Sequence, residues 1–221
     1  MRVAHRGRRF QRKQHPLIRR AMIANILSFA RLGIAIAFAL AAGLACAGPQ
    51  GSMSLWSGVL LITLAVLLET TDVLDGFIAR STGTASQLGG ILDPFMDSLA
   101  RLTVYFAMSL VGWITIAVPL VMTARDIVVA YSRIIQALTG GQTSARISGK
   151  VKAVIQGIGV FAVILIQLNR GSMAASTANG LTMAVAAAII ASTLWSLLDY
   201  GRNALPGLKT LVRQQKSRTP V

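Results

Sequence analysis

Only seven carboxylates occur in this chain of 221 residues, and four of them fall in one window. The window reads Asp72-x-x-Asp75-Gly76-x-x-Ala79-Arg80, then eight residues to Gly89, then x-x-x-Asp93-x-x-x-Asp97. A spacing of three places Asp72 and Asp75 on one helical face, and a spacing of four does the same for Asp93 and Asp97. Between the pairs, Ser81-Thr82-Gly83-Thr84-Ala85-Ser86 has the composition of a turn. An antiparallel hairpin would therefore bring four mutually repelling carboxylates to one level, and such a cluster requires a cation. Hard oxygen donors without a nearby histidine or cysteine suit Mg²⁺ or Mn²⁺ and argue against zinc. Two such ions could clamp a pyrophosphate and activate an attacking hydroxyl. Gly76 and Gly89 leave room for a phosphate to approach the backbone, and Arg80 adds a cationic fork beside it. Pro94 suits the first turn of the helix that carries Asp93, where its missing donor costs nothing.

Two other readings fit the same residues. Arg31, Arg101 or Arg125 could neutralise some of the acids in purely structural pairs, or the acids could line a cation pathway. Glu69, one turn before Asp72, either supports the aspartates from behind or makes a hydrogen-bonded core contact.

The elements that must position these acids are helices in a membrane. Hydrophobic residues make up 54% of the chain, and the mean hydropathy is positive. That is far more apolar character than one soluble core of this size needs. Charge-free stretches such as 102–124, 153–169 and 171–198 have the length of helical spans. The fold expected is an all-α integral membrane protein with six transmembrane helices, near 22–44, 56–79, 91–111, 114–137, 152–169 and 178–198. A tight reversal at Gly112-Trp113 is needed to divide the long apolar window at 102–124 into two spans; without it the count falls to five. The organisation expected is a basic leader at 1–21, a membrane domain at 22–200 and a basic tail at 201–221.

The formal charge of +15 is concentrated outside the spans, with eight cations in the first twenty residues and five after the last apolar segment. The positive-inside rule puts both termini in the cytoplasm, where they can attract anionic lipid headgroups, and six spans satisfy this while five do not. The leader forms either an interfacial amphipathic helix or a disordered basic tail. A retained first span fits better than a cleaved signal, because the apolar stretch from Ala21 to Ala47 is long and contains Arg31. No aromatic interleaving accompanies the basic tails, so no nucleic acid partner is expected. A single cysteine, Cys46, excludes an internal disulfide, and both histidines, His5 and His15, sit in the leader. A scaffold that recruits lipid through its tails is the remaining non-enzymatic reading, and the acids lend it nothing.

The run from Asp72 to Asp97 resembles the signature of the CDP-alcohol phosphatidyltransferases at all eight fixed positions. The resemblance implies a six-helix homodimer in the cytoplasmic membrane with its site open to the cytoplasm. It implies transfer of a phosphatidyl group from CDP-diacylglycerol to an alcohol, releasing CMP. It assigns Asp72, Asp75 and Asp93 to metal ligation. Asp97 helps to hold a second ion and is the candidate base for the acceptor hydroxyl, while Gly76, Ala79, Arg80 and Gly89 meet the CDP moiety. Positioning and charge neutralisation are what attack at phosphorus needs.

Flanking segments resemble the phosphatidylglycerophosphate synthases, a branch of this family. These are Asn25-Ile26-Leu27-Ser28-x-x-Arg31, Ala124-Arg125-Asp126 followed by Arg133, and Gly149-Lys150-Val151-Lys152 with Gln156. Arg125, Arg133, Lys150 and Lys152 would bind a phosphate carried by the acceptor, with Arg31 and Arg146 weaker candidates, although each alone also reads as a flank residue that snorkels. Glycerol 3-phosphate is the acceptor this favours, with inositol phosphate or a non-phosphorylated alcohol as alternatives. The chain departs from the branch at Ser98, where lysine is usual and Arg101 follows one turn later. It also departs at Asp126 in place of glutamate and at Ala153 in place of threonine.

Overall fold

A computed structural model describes residues 29–46, 53–82, 87–138 and 147–218, with side chains described outside 72–92 and 210–218. The leader at 1–21, Arg146 and the turn at 83–86 lie outside the described residues. Six helices make up the described fold: α1 (Phe29–Cys46), α2 (Leu55–Thr82), α3 (Gln87–Leu110), α4 (Ala117–Leu138), α5 (Ile147–Leu168) and α6 (Ala175–Arg218). A single 3-10 turn, Arg170–Ser172, links the last two.

Local chemistry sets the helix ends. Ser54 caps α2, its Oγ accepting the Ser57 N–H at 3.1 Å, which satisfies one of the donors a helix start leaves open. Gly112 ends α3 with φ at +75°. The Trp113 N–H reaches back to the Met108 carbonyl at 2.8 Å and the Gly112 N–H to Ser109 at 3.0 Å. This is the paired closure of a Schellman cap, with Gly112 supplying the left-handed residue. The long charge-free window at 102–124 is therefore two helices joined by a hairpin.

The core runs through all six helices, with Phe38, Leu61, Tyr105, Met122, Ile164 and Ile189 fully buried. α6 packs along both α4 and α5, and α5 also packs on α2. Close approach of α5 to α3 depends on Gly159, where a Cβ would stand 2.7 Å from the Tyr105 hydroxyl and 2.8 Å from Ile189 Cδ1. The large apolar side chains on the outside, including Trp56 at 82% and Leu110 at 83% exposure, form an apolar surface of the kind a bilayer accepts.

This is a multi-pass membrane protein, and among the described residues three helices are long and apolar enough to cross a bilayer by themselves: α1, α5 and α6. α2 supplies a shorter apolar stretch, Leu55–Thr71, before Asp72. α3 and α4 are less apolar for a physical reason. They carry Asp93, Asp97 and Arg101, and Arg125, Asp126 and Arg133, respectively.

Candidate active site

The acidic end of the site is built on α2 and α3. Asp72, Asp75, Gly76, Ala79 and Arg80 lie on the last turns of α2, and Gly89 lies in the first turn of α3, with their side chains outside the described set. Asp93 and Asp97 stand one turn apart on α3, both part-exposed. Below them an ion pair sets the register of the two helices, with Arg101 Nη1 donating to Glu69 Oε1 at 3.2 Å. From that pair toward the turn, α2 ascends through 72 and 75 while α3 ascends through 97 and 93.

Asp97 Oδ1 is buried, takes no hydrogen bond, and lies 3.8 Å from Arg31 Nη1 and 3.6 Å from Arg101 Nη2. Both guanidinium groups are almost fully buried, at 2% and 5% residue exposure. Asp97 itself keeps about a third of its side chain exposed, at 35%, and with Oδ1 buried that exposure belongs to its other atoms. Among the described residues, no group of three or more His, Cys, Asp or Glu converges as a metal site. The hard, part-exposed carboxylates of Asp93 and Asp97 fit a Mg²⁺ or Mn²⁺ centre that Asp72 and Asp75 would complete.

A basic cluster adjoins this end. Asp126 Oδ1 accepts from Arg125 Nη1 at 2.8 Å and from Lys152 Nζ at 3.4 Å, so two buried cations share one carboxylate. Arg125 is braced from α6. Its Nε and Nη2 donate to Ser196 Oγ at 3.2 and 2.8 Å, and its guanidinium carbon lies 5.2 Å from the centre of the Tyr200 ring, within cation–π range. A link ties the cluster to α3, where Arg101 Nη1 donates to the Ala153 carbonyl at 3.4 Å. Ser98 stands part-buried on α3 where the resembling enzymes carry lysine.

The four expected phosphate-binding cations are divided by the fold. Arg125 and Lys152 meet at Asp126 inside the bundle. Lys150 points outward and is exposed, because two residues along a helix turn the side chain about 200° around the axis. Arg133, two turns beyond Arg125 on α4, is half-buried, and its Nε has no hydrogen-bond partner.

Sequence reasoning missed the contribution of α6. Ser192, Thr193, Ser196 and Tyr200 are buried along one stripe. Thr193 Oγ1 accepts from the buried Gln156 Nε2 at 3.2 Å, and Ser148 Oγ donates to Asp199 Oδ2 at 2.5 Å. The helical spacing of these hydroxyls was the available signal.

The sequence profile described as CDP-alcohol phosphatidyltransferase matches residues 21–195. A curated relative from Pectobacterium atrosepticum, named CDP-diacylglycerol--glycerol-3-phosphate 3-phosphatidyltransferase, is 29% identical over 153 residues, spanning 66% of this chain and 78% of the relative. Proteins of the same name from Escherichia coli and Salmonella choleraesuis are 31% identical over 153 residues with the same two coverages. With a family match that spans the acidic pairs and the basic cluster alike, the chain belongs to the CDP-alcohol phosphatidyltransferase family.

Proposed function

We propose that this enzyme transfers the phosphatidyl group of CDP-diacylglycerol to glycerol 3-phosphate and releases CMP. The observation that carries the acceptor is the buried pair Arg125 and Lys152 on a single carboxylate. Two cations to one anion leave a net positive site suited to a phosphate dianion. It adjoins Asp97 through Arg101, which bonds the Ala153 carbonyl next to Lys152 and lies 3.6 Å from Asp97 Oδ1. The names of the relatives point to the same acceptor.

In this reading Asp72, Asp75, Asp93 and Asp97 would hold Mg²⁺ or Mn²⁺, two ions in the full site. The bound cations supply neutralisation of the pyrophosphate charge. Gly76, Ala79, Arg80 and Gly89 bind the CDP moiety. Arg125 and Lys152 hold the acceptor's phosphate, so that its free hydroxyl points at the phosphatidyl phosphorus. That hydroxyl oxygen forms the new P–O bond as the bond to the CMP oxygen breaks, and its proton passes to Asp97. Holding both reactants in this geometry is the main source of rate.

The six helices all cross the bilayer, both termini and the site face the cytoplasm, and the enzyme works as a homodimer. Support for the two charged helices as spans comes from side chains turned inward: Arg101 and Arg125 are buried, while Leu110 and Tyr131 face outward. A helix of 22 residues covers about 33 Å, enough for the hydrocarbon layer.

Purified protein incubated with CDP-diacylglycerol and a panel of glycerol 3-phosphate, inositol phosphate, inositol and serine tests the reading. CMP release and the lipid product should appear with glycerol 3-phosphate, and Asp93→Ala and Asp97→Ala should abolish both. Unchanged turnover in both variants would sink the assigned chemistry, and a different lipid product would replace the acceptor.

A further inference from the structure

Arg101 stands between two carboxylates and treats them unequally. It bonds Glu69 at 3.2 Å and the Ala153 carbonyl at 3.4 Å, while its approach to Asp97 stops at 3.6 Å, with no hydrogen bond on Asp97 Oδ1. The fold makes room for this arrangement at Gly157, where a Cβ would stand 3.1 Å from Glu69 Oε1. A side chain there would press on the carboxylate.

We propose that Glu69 is a positioning residue for Asp97, acting through Arg101. By holding the guanidinium toward α2 and α5, it keeps Arg101 from closing onto Asp97 and withdrawing that carboxylate from the site. The physical reason is burial. Arg101 is 5% exposed, and at that depth losing the negative charge of one of its partners is costly even where others remain. Without the Glu69 charge, the Asp97 carboxylate one turn away on the same helix lies within reach. A short side-chain shift would convert a loose approach into a bidentate pair. Glu69 thus controls how much of Asp97 is available to a divalent cation or an acceptor hydroxyl, and it need not touch either.

The inference rests on the reading of Asp97 as a working carboxylate, and the experiment separates the two. Mn²⁺ binding, followed by titration calorimetry without substrate, and CMP release are both measured across a Mn²⁺ series for the wild type, Glu69→Gln, Arg101→Gln, the double variant and Asp97→Asn, each checked by thermal unfolding and gel filtration in detergent. Glu69→Gln should raise the half-saturating Mn²⁺ by about tenfold or more, the scale of coupling within one ionic network. Arg101→Gln, which removes the captor, should move it by less than about threefold, and adding Arg101→Gln to Glu69→Gln should restore most of the loss. A double variant as impaired as Glu69→Gln overturns the proposal, and so does a double variant that regains its unfolding temperature without regaining its Mn²⁺ response. Should the double variant fail to fold, the single variants still decide: equal losses in both overturn it, and a loss confined to Glu69→Gln supports it. Full activity in Asp97→Asn would remove the underlying reading of Asp97 instead, whatever Glu69 does.

Discussion

Arg125 on α4 and Ser196 on α6 lie 71 residues apart in sequence, yet two nitrogens of the arginine share the one serine oxygen at 3.2 and 2.8 Å. The serine fixes which way the guanidinium faces and leaves Nη1 for Asp126. Ser196→Ala should therefore loosen Arg125 without removing its charge. Hydrogen bonds to charged groups contribute about 1.5–3 kcal/mol, so the KM for glycerol 3-phosphate should rise by about tenfold. The KM for CDP-diacylglycerol, measured alongside, should stay close to the wild-type value.

Lys150 and Lys152 should separate cleanly. Lys152 is buried and bonded to Asp126, and truncating one member of such a buried charged pair costs about 2–5 kcal/mol where it binds a partner. Lys152→Gln should raise the acceptor KM by about a hundredfold on that scale. Lys150→Gln, at an exposed position, should change it by less than about twofold, in line with surface charges generally. Steady-state kinetics at saturating CDP-diacylglycerol measures both.

The turn and the close helix contact should respond to a single methyl group. Gly112→Ala places a side chain at φ +75° and should lower stability by about 1 kcal/mol. Gly159→Ala drives a Cβ into Tyr105 and Ile189 and should cost about 1–3 kcal/mol through overpacking. It should also disturb the bond from the Tyr105 hydroxyl to the Gln156 carbonyl, now 2.6 Å. Thermal unfolding in detergent reports both, and the activity per folded Gly112→Ala molecule should be unaltered.

Chelation should abolish CMP release, and Mg²⁺ or Mn²⁺ should restore it. Because a ligand that binds only the folded state raises stability by mass action, the chelated enzyme should also unfold at a lower temperature. Unfolding temperatures with and without added Mn²⁺ check this independently of turnover.

Spacing made the helices that carry the acids readable. Three- and four-residue intervals placed Asp72, Asp75, Asp93 and Asp97 on helix faces, and the helices α2 and α3 are where those intervals require them. Gly112 was likewise legible, since a reversal inside an uncharged window needs a residue that accepts a positive φ. The basic half was legible only as a set of charges. Phase along α5 decides that Lys152 faces inward and Lys150 outward, and both carry the same charge in a composition-based reading. The hydroxyls of α6 were hidden for a different reason. Ser192, Thr193 and Ser196 barely alter the hydropathy of a long apolar stretch, and the partners of Thr193 and Ser196, Gln156 and Arg125, come from helices distant in sequence. Such a contact becomes visible only when helix packing is known.

α6 is unbroken for 44 residues, from Ala175 to Arg218. At 1.5 Å per residue its axis runs about 66 Å, roughly twice the thickness of the hydrocarbon layer. The same rod that presents Ser196 and Tyr200 to Arg125 therefore also carries Arg202 and Lys209 beyond the site. Pro206 removes one backbone donor from this rod between Tyr200 and Lys209, so a bend there would let the tail change direction while Ser196 and Tyr200 keep their hold on Arg125.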